Sequence, residues 1–185
     1  MIIGITGTNG AGKGTVVEYL AEKGFTHYSV RAELIEEIKR RGMPVERPSM
    51  RMVGDDLRAA NGPGYFVERF VALAKERGET DIVMESLRSI GEVEKLHELG
   101  GILFAVDADR KLRYERSVAR GSDTDKVGFD TWVAEEEREW HNTAAHEMNV
   151  PAVMAMADYT IANNGTVEKL RAQVDRALAT IHKEG

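Results

Sequence analysis

The run Gly7-Thr8-Asn9-Gly10-Ala11-Gly12-Lys13-Gly14-Thr15 holds the residue types and spacing that point most directly to chemistry. A polyphosphate needs several donors converging on one point. Glycines let successive backbone N–H groups turn inward without Cβ clashes. A helix that begins where the run ends adds its positive pole, and the Lys13 ammonium can reach the β- and γ-phosphates. Gly7, Asn9, Gly10, Ala11, Gly12, Lys13, Gly14 and Thr15 are therefore expected to bind the phosphates of ATP, with Mg²⁺ as the accompanying cation and Lys13 also catalytic. One feature departs from the general phosphate-loop pattern, in which Ser or Thr follows the lysine and holds the magnesium. Gly14 fills that place and Thr15 comes one residue later.

Further groups could complete a site. Met84-Glu85-Ser86-Leu87-Arg88 follows an apolar run. Glu85 there can hold Mg²⁺ directly or through water, and Arg88 can grip a phosphate with its planar fork. Arg113, Arg116 and Arg120, spaced by three and four, share one helical face. That spacing also suits a charged surface helix paired with Glu115. Arg138, set among Glu135, Glu136, Glu137 and Glu139, either reaches a transferring phosphoryl group or belongs to a solvated face. His27, His97, His141, His146 and His182 show no metal-ligand spacing, and Trp132 and Trp140 read as packing residues.

The elements that position these groups follow from hydrophobic periodicity. Ile2 to Thr6 is short, β-branched and not alternating, as in a parallel strand buried on both faces. A helical run follows and stops at Gly24. Phe25–Ser29, Asp81–Glu85, Gly101–Asp107 and Tyr159–Ala162 are the other strand candidates. Helices are predicted over Ala32–Arg41, Ser49–Ala60, Gly64–Arg77, Gly91–Leu99, Asp109–Arg120, Asp130–His141 and Thr166–His182. Gly121–Gly128 is a polar break, and Val153–Ala157 is apolar but too short to assign. Strand and helix alternate, which predicts an α/β fold: about five parallel strands in a three-layer α/β/α arrangement with helices on both faces. The helices between the second and third strands exceed a simple crossover, a length that often carries function. Asn164-Gly165 is a turn, and Thr166 is a good N-cap for the last helix.

Composition excludes several classes. The 185 residues suit one domain. With no cysteine there is no disulfide framework and no thiolate metal site. A net charge of -6 argues against nucleic acid as partner but permits arginines aimed into a cleft. No signal peptide or membrane span is visible, so the expected compartment is the cytoplasm.

The Gly12-Lys13-Gly14-Thr15 form resembles the loop of nucleoside monophosphate kinases such as adenylate kinase. The segment ending in Glu85-Ser86-Leu87-Arg88 is similar to that family's Asp-Gly-Phe-Pro-Arg, with Glu85 at the Asp position and Arg88 at that of the acceptor-phosphate arginine. Leu57-Arg58 ahead of Gly62-Pro63-Gly64 resembles archaeal relatives of adenylate and dephospho-CoA kinases. That resemblance implies acceptor binding for Arg58, which its own context would leave a solvated helix arginine; Arg51 is a weaker candidate. Arg116 and Arg120 match the arginines that flank the lid, one near the donor base and one on phosphates. The ending Ala157 to Leu170 is similar to dephospho-CoA kinases, which implies donor-base contact from Asn164, Gly165 and Thr166 together with Arg116. The resemblance fails after the second strand, where Ala32 and Ile35 stand at the family's Asp and Arg positions and Arg31 takes over from a different place.

Taken together, the sequence predicts a single P-loop kinase domain over 1–185, with an acceptor-binding helical insert over 31–78 and a short lid over 121–140. Its reaction would move the γ-phosphoryl group of ATP to a nucleoside monophosphate. Arg31, Arg58 and Arg88 bind the acceptor, and Lys13, Arg88, Arg116, Arg120 and Arg138 are catalytic. The alternatives are a dephospho-CoA kinase-like transfer to a hydroxyl, with Glu33 or Glu85 as base, and a nucleotide-binding switch that transfers nothing.

Overall fold

The computed structural model describes residues 1–121, 127–137, 140, 144 and 146–184. In chain order the elements are β1 (Ile2–Gly7), α1 (Lys13–Glu22), β2 (Thr26–Ser29), α2 (Val30–Arg40), α3 (Arg47–Asn61), α4 (Tyr65–Arg77), β3 (Ile82–Glu85), α5 (Ile90–Glu98), β4 (Ile102–Asp107), α6 (Arg110–Arg120), α7 (Phe129–Glu137), α8 (Val150–Ala155), β5 (Tyr159–Ala162) and α9 (Val167–Glu184). The strands form one five-stranded sheet in the order β2-β3-β1-β4-β5. Every pairing is parallel, with Ile5 beside Glu85 and Gly7 beside Val106. This is the predicted architecture.

Side chains alternate across the sheet because the strand period is two. Ile3, Ile5, Val83, Phe104, Val106 and Ile161 face one side, where α1 and α9 cover them with Val16, Val17, Leu20, Leu170 and Val174. Tyr28, Ile82, Met84 and Leu103 face the other side, against Leu34 and Ile38 of α2, Val53 of α3, Phe66 and Phe70 of α4 and Val93 and Leu96 of α5. Burial on both faces explains why the strands read as continuous apolar runs.

Parallel strands deliver their following loops to one edge of the sheet, and neighbouring carboxyl ends open a crevice there. β1 lies between β3 and β4, so the segments after these three strands meet. Several boundaries differ from those read in the sequence. α2 starts at Val30, directly after β2, because the Ser29 hydroxyl accepts from Ala32 N at 3.2 Å and caps it. α8 occupies the stretch left unassigned. Asn149 Oδ1 accepts from Ala152 N at 3.1 Å, and a proline stands in the first turn. α7 ends at Glu137 within the described residues.

Candidate active site

Residues 8 to 12 join β1 to α1 by a path that only glycine fits at two points. Gly10 has φ 75 and Gly12 φ 97. A Cβ on Gly10 would lie 2.2 Å from the Arg113 carbonyl oxygen, and one on Gly12 2.2 Å from Asn163 Nδ2. The loop is thus pressed against two supports, the backbone of α6 and the segment after β5. Asn163, itself buried, donates from Nδ2 to Ala11 O at 2.8 Å. Thr8 donates its hydroxyl to Asp107 Oδ1 at 2.6 Å, tying the loop to the end of β4. No side chain caps the N-terminus of α1, and its first turn has no acidic residue. The helix therefore presents its positive pole at the loop.

The Lys13 ammonium donates to Gly7 O at 2.9 Å and Thr8 O at 2.8 Å, so the side chain folds back along the loop. Arg113 is the strut behind it. Its buried guanidinium donates from Nε to Ala108 O at 2.9 Å and from Nη1 to Asn9 O at 3.2 Å. It also pairs with both oxygens of buried Glu136 and lies 5.2 Å from the centroid of the Trp132 ring. Arg116 donates to Asn163 O at 3.0 Å, and Arg120 to Asn9 Oδ1 at 3.3 Å. The arginine face of α6 is turned towards the loop and the β5 exit, although Arg113 works from within the protein.

A cavity of about 250 Å³ opens beside this loop. Thr8, Asn9 and Lys13 line it from the loop, Glu85, Ser86 and Arg88 from the exit of β3, and Arg120 from α6. Arg31 comes from α2, and Arg47, Arg51 and Arg58 from α3. Apolar walls are supplied by Val30, Leu34, Met50, Met148 and Val150, and Trp140 and Glu136 complete the lining. A chain with a net charge of -6 thus lines one cavity with seven basic side chains and only two carboxylates. Such a lining concentrates positive potential on an anion.

At the exit of β3 the backbone bends sharply. Ser86 has φ 74, and among the described residues it is the non-glycine position with positive φ. Such conformations persist where the surroundings over-determine them, often at functional sites. The bend is held by Ser86 N and Leu87 N, which donate to Ile5 O at 3.0 and 3.1 Å. Glu85 lies 3.3 Å from His27 Nε2. Burial pushes its carboxyl up, but the His27 contact and the charges of Lys13 and Arg88 outweigh that, so its pKa falls below the usual carboxylate value. An ionised carboxylate under the influence of the Lys13 ammonium is a donor suited to a hard divalent cation such as Mg²⁺.

Seven of the predicted site residues line this cavity, Asn9, Lys13, Arg31, Arg58, Glu85, Arg88 and Arg120, with the weaker candidate Arg51, whereas Arg116, Thr15, Asn164, Gly165 and Thr166 do not. Arg58, for which the resemblance implied acceptor binding and its own context a solvated helix arginine, is 2 % exposed. Its Nε donates to fully buried Glu92 at 2.9 Å. Asn164 exchanges hydrogen bonds with Asp109, donating to Asp109 Oδ1 at 3.1 Å and accepting from Asp109 N at 2.8 Å. The Thr166 hydroxyl accepts from Lys169 N at 3.4 Å in the first turn of α9. The side chains of Asn164 and Thr166 thus brace loops. Trp140, read as packing, lines the cavity, and Glu136, for which a solvated face was one of two alternatives, is buried. Arg138 lies outside the described residues. Sequence reasoning missed Glu92, Asp107, Glu136 and Asn163. Asp107 and Asn163 stand next to strand ends, a positional signal that was available.

Residues 3–141 match the AAA domain family. A protein of Thermococcus kodakarensis, UPF0200 protein TK1334, is 32% identical over 98% of this chain and 98% of its own length. The chain belongs to the UPF0200 family. Among solved structures, TT1252 from Thermus thermophilus superposes with a TM-score of 0.64 at 21% identity, covering 97% of each chain. Shikimate kinase from Aquifex aeolicus superposes with a TM-score of 0.53 at 18% identity over 100% of each chain. Those likenesses establish the fold that this UPF0200 chain shares with them, a five-stranded parallel sheet with helices on both faces. No described helix is long and apolar enough to cross a membrane.

Proposed function

We propose that the protein is a phosphotransferase that moves the γ-phosphoryl group of ATP to a nucleoside monophosphate. The observation that carries this reading is one cavity lined at once by the phosphate loop with Lys13 and by Arg31, Arg58 and Arg88 from the segments beyond β2 and β3. A nucleotide-binding switch has no use for a second arginine cluster opposite its γ-phosphate, whereas a second anionic substrate requires one.

In this reading the loop amides and Lys13 hold the donor β- and γ-phosphates. Arg58 and Arg88 hold the acceptor phosphate in line with the γ-phosphorus. An acceptor oxygen forms a new P–O bond as the bond to the β,γ-bridging oxygen breaks, and ADP leaves with that electron pair. The acceptor phosphate is already anionic at neutral pH, so no base is needed. Arg116 and Arg120 add positive charge around the transferring group, and Arg138 is assigned the same role from the lid. Catalysis of this kind is positioning and charge neutralisation. Magnesium, when bound with the nucleotide, would neutralise phosphate charge. Glu85 and Thr15 are the residues fitted to hold it or its waters. Asn164, Gly165 and Thr166 stay proposed neighbours of the donor base through their backbone. ATP and a small phosphorylated acceptor are the proposed partners, and the cytoplasm is the proposed compartment.

A second reading, transfer to a hydroxyl, draws support from the ionised Glu85 beside His27, a carboxylate that can accept a hydroxyl proton. An ADP-release assay over ribo- and deoxyribonucleoside monophosphates and dephospho-CoA separates the readings. Release driven by a monophosphate supports our proposal. Release driven by dephospho-CoA alone favours the hydroxyl reading, and slow release regardless of acceptor overturns both.

A further inference from the structure

Glu92 stands at the third position of α5 and closes a capping box with Ser89. Its Oε2 accepts from Arg88 N at 2.8 Å and Ser89 N at 3.1 Å, while Glu92 N donates to Ser89 Oγ at 3.4 Å. A glutamate with only that task can stay at the surface. Glu92 is fully buried, and its other oxygen, Oε1, accepts from Arg58 Nε at 2.9 Å. Arg58 belongs to α3, and its Cζ lies 5.1 Å from the centroid of the Phe66 ring. Among the described residues Arg58 Nη1 has no hydrogen-bond partner, and it sits 3.6 Å from Asp55 Oδ1. Both Arg58 and Arg88 line the cavity.

A single buried carboxylate thus holds two cavity arginines that come from different elements. One oxygen fixes the guanidinium of Arg58, and the other fixes the backbone from which Arg88 projects. Replacing a buried ion pair with apolar residues is often neutral for stability, so stability alone gives a weak reason for this one. Geometry gives a better one, since a phosphate shared by two guanidinium groups needs them at a fixed separation. We infer that Glu92 is the positioning residue of the acceptor half-site: it sets Arg58 and Arg88 against each other so that one acceptor phosphate meets both. This rests on the acceptor reading given above.

Glu92→Gln tests it, because the amide oxygen can keep both backbone hydrogen bonds while the NH₂ group turns a donor towards Arg58 Nε. AMP, GMP, CMP and UMP are titrated calorimetrically into the full-length protein, and the tightest binder is carried forward. The variant is expected to weaken that monophosphate roughly tenfold to a hundredfold, the worth of one charge-assisted hydrogen bond, with ATP binding within about twofold of wild type. In an Arg58→Ala background the same change should add less than about twofold. Equal losses for monophosphate and ATP, or additive losses with Arg58→Ala, would overturn the inference. If Glu92→Gln does not fold, the paired change Arg58→Met with Glu92→Met removes both buried charges; unchanged monophosphate binding in that protein likewise overturns it. The acceptor reading fails separately if no monophosphate binds wild type or if Arg88→Ala leaves binding intact, and the inference then falls with it. Binding that Arg88→Ala abolishes and Glu92→Gln spares sinks the inference alone.

Discussion

Replacing Arg113 with methionine should separate what this residue does for folding from what it does for nucleotide binding. Methionine keeps much of the aliphatic volume but strands Glu136, which is 5 % exposed and pairs with Arg113 through both oxygens. Removing one partner of a buried pair costs about 3–5 kcal/mol, chiefly because a charge is left uncompensated. Glu136 also borders the cavity, where it can recruit water. The lower end, about 3 kcal/mol, is therefore expected. For a chain of this size that corresponds to a fall in Tm of about 6–12 °C. Urea denaturation at constant m-value measures it.

The companion Arg113→Met, Glu136→Leu removes both charges and should return stability to within about 1 kcal/mol of wild type. ATP affinity should not return. Asn9 O still lacks the hydrogen bond that held the loop at 3.2 Å, and a loss of about 1 kcal/mol in loop placement weakens ATP about fivefold in both proteins. A double variant as unstable as the single would show that stranded charge is not the source of the loss. Wild-type ATP binding in both would refute the strut.

Other perturbations probe the remaining parts. Lys13→Ala should abolish ATP-dependent transfer while changing Tm by only a few degrees, since its two hydrogen bonds go to loop carbonyls; retained turnover counts against the mechanism. Gly12→Ala combines positive φ with a Cβ 2.2 Å from Asn163 Nδ2, so ATP binding measured by calorimetry should fall at least tenfold, whereas wild-type affinity would mean the loop shifts freely. Gly14→Ser meets open space and should raise stability by about 0.4–1 kcal/mol in denaturant melts, with a hydroxyl placed where the general pattern carries one; a destabilised protein would contradict this. His27→Ala removes a contact that lowers the Glu85 pKa, so that pKa rises and the acid limb of the kcat/KM profile moves to higher pH. In linkage terms, the stability Glu85 contributes is present above its unfolded pKa and lost as pH falls through the depressed folded value, and His27→Ala narrows that window. An unmoved acid limb would mean that Glu85 does not control it.

The parts of this protein legible in the sequence are those whose physics is local. Strands buried on both faces leave apolar runs, and the phosphate loop needs glycine wherever backbone must pass another chain segment, so both are written contiguously. α8 carried local signals as well, an asparagine cap and a proline two residues later, but its apolar stretch was too short to distinguish from a strand. The buried charges that the sequence does not disclose have a different origin. Arg58, Glu92, Arg113 and Glu136 are charged, and on helices charge ordinarily means solvent. Each is buried because its partner comes from another element: Glu92 lies 34 residues from Arg58, and Glu136 lies 23 from Arg113. Nothing in a single stretch of chain encodes that pairing.

Those two buried pairs also suggest how the site is built. Arg113–Glu136 ties α6 to α7 behind the phosphate loop, and Arg58–Glu92 ties α3 to α5 behind the exit of β3. Arg58 lines the cavity itself while Arg113 supports the loop from behind, and each is held by a carboxylate from another helix. Surface arginines would span the same distances with mobile side chains and little net energy. Burying each pair makes the placement of Arg58 and of the loop a property of helix packing. Under the proposed transfer two mutually repelling anions must be brought into line, and such a site gains most from that rigidity, because any slack between Arg58 and the loop would be taken up by the anions moving apart.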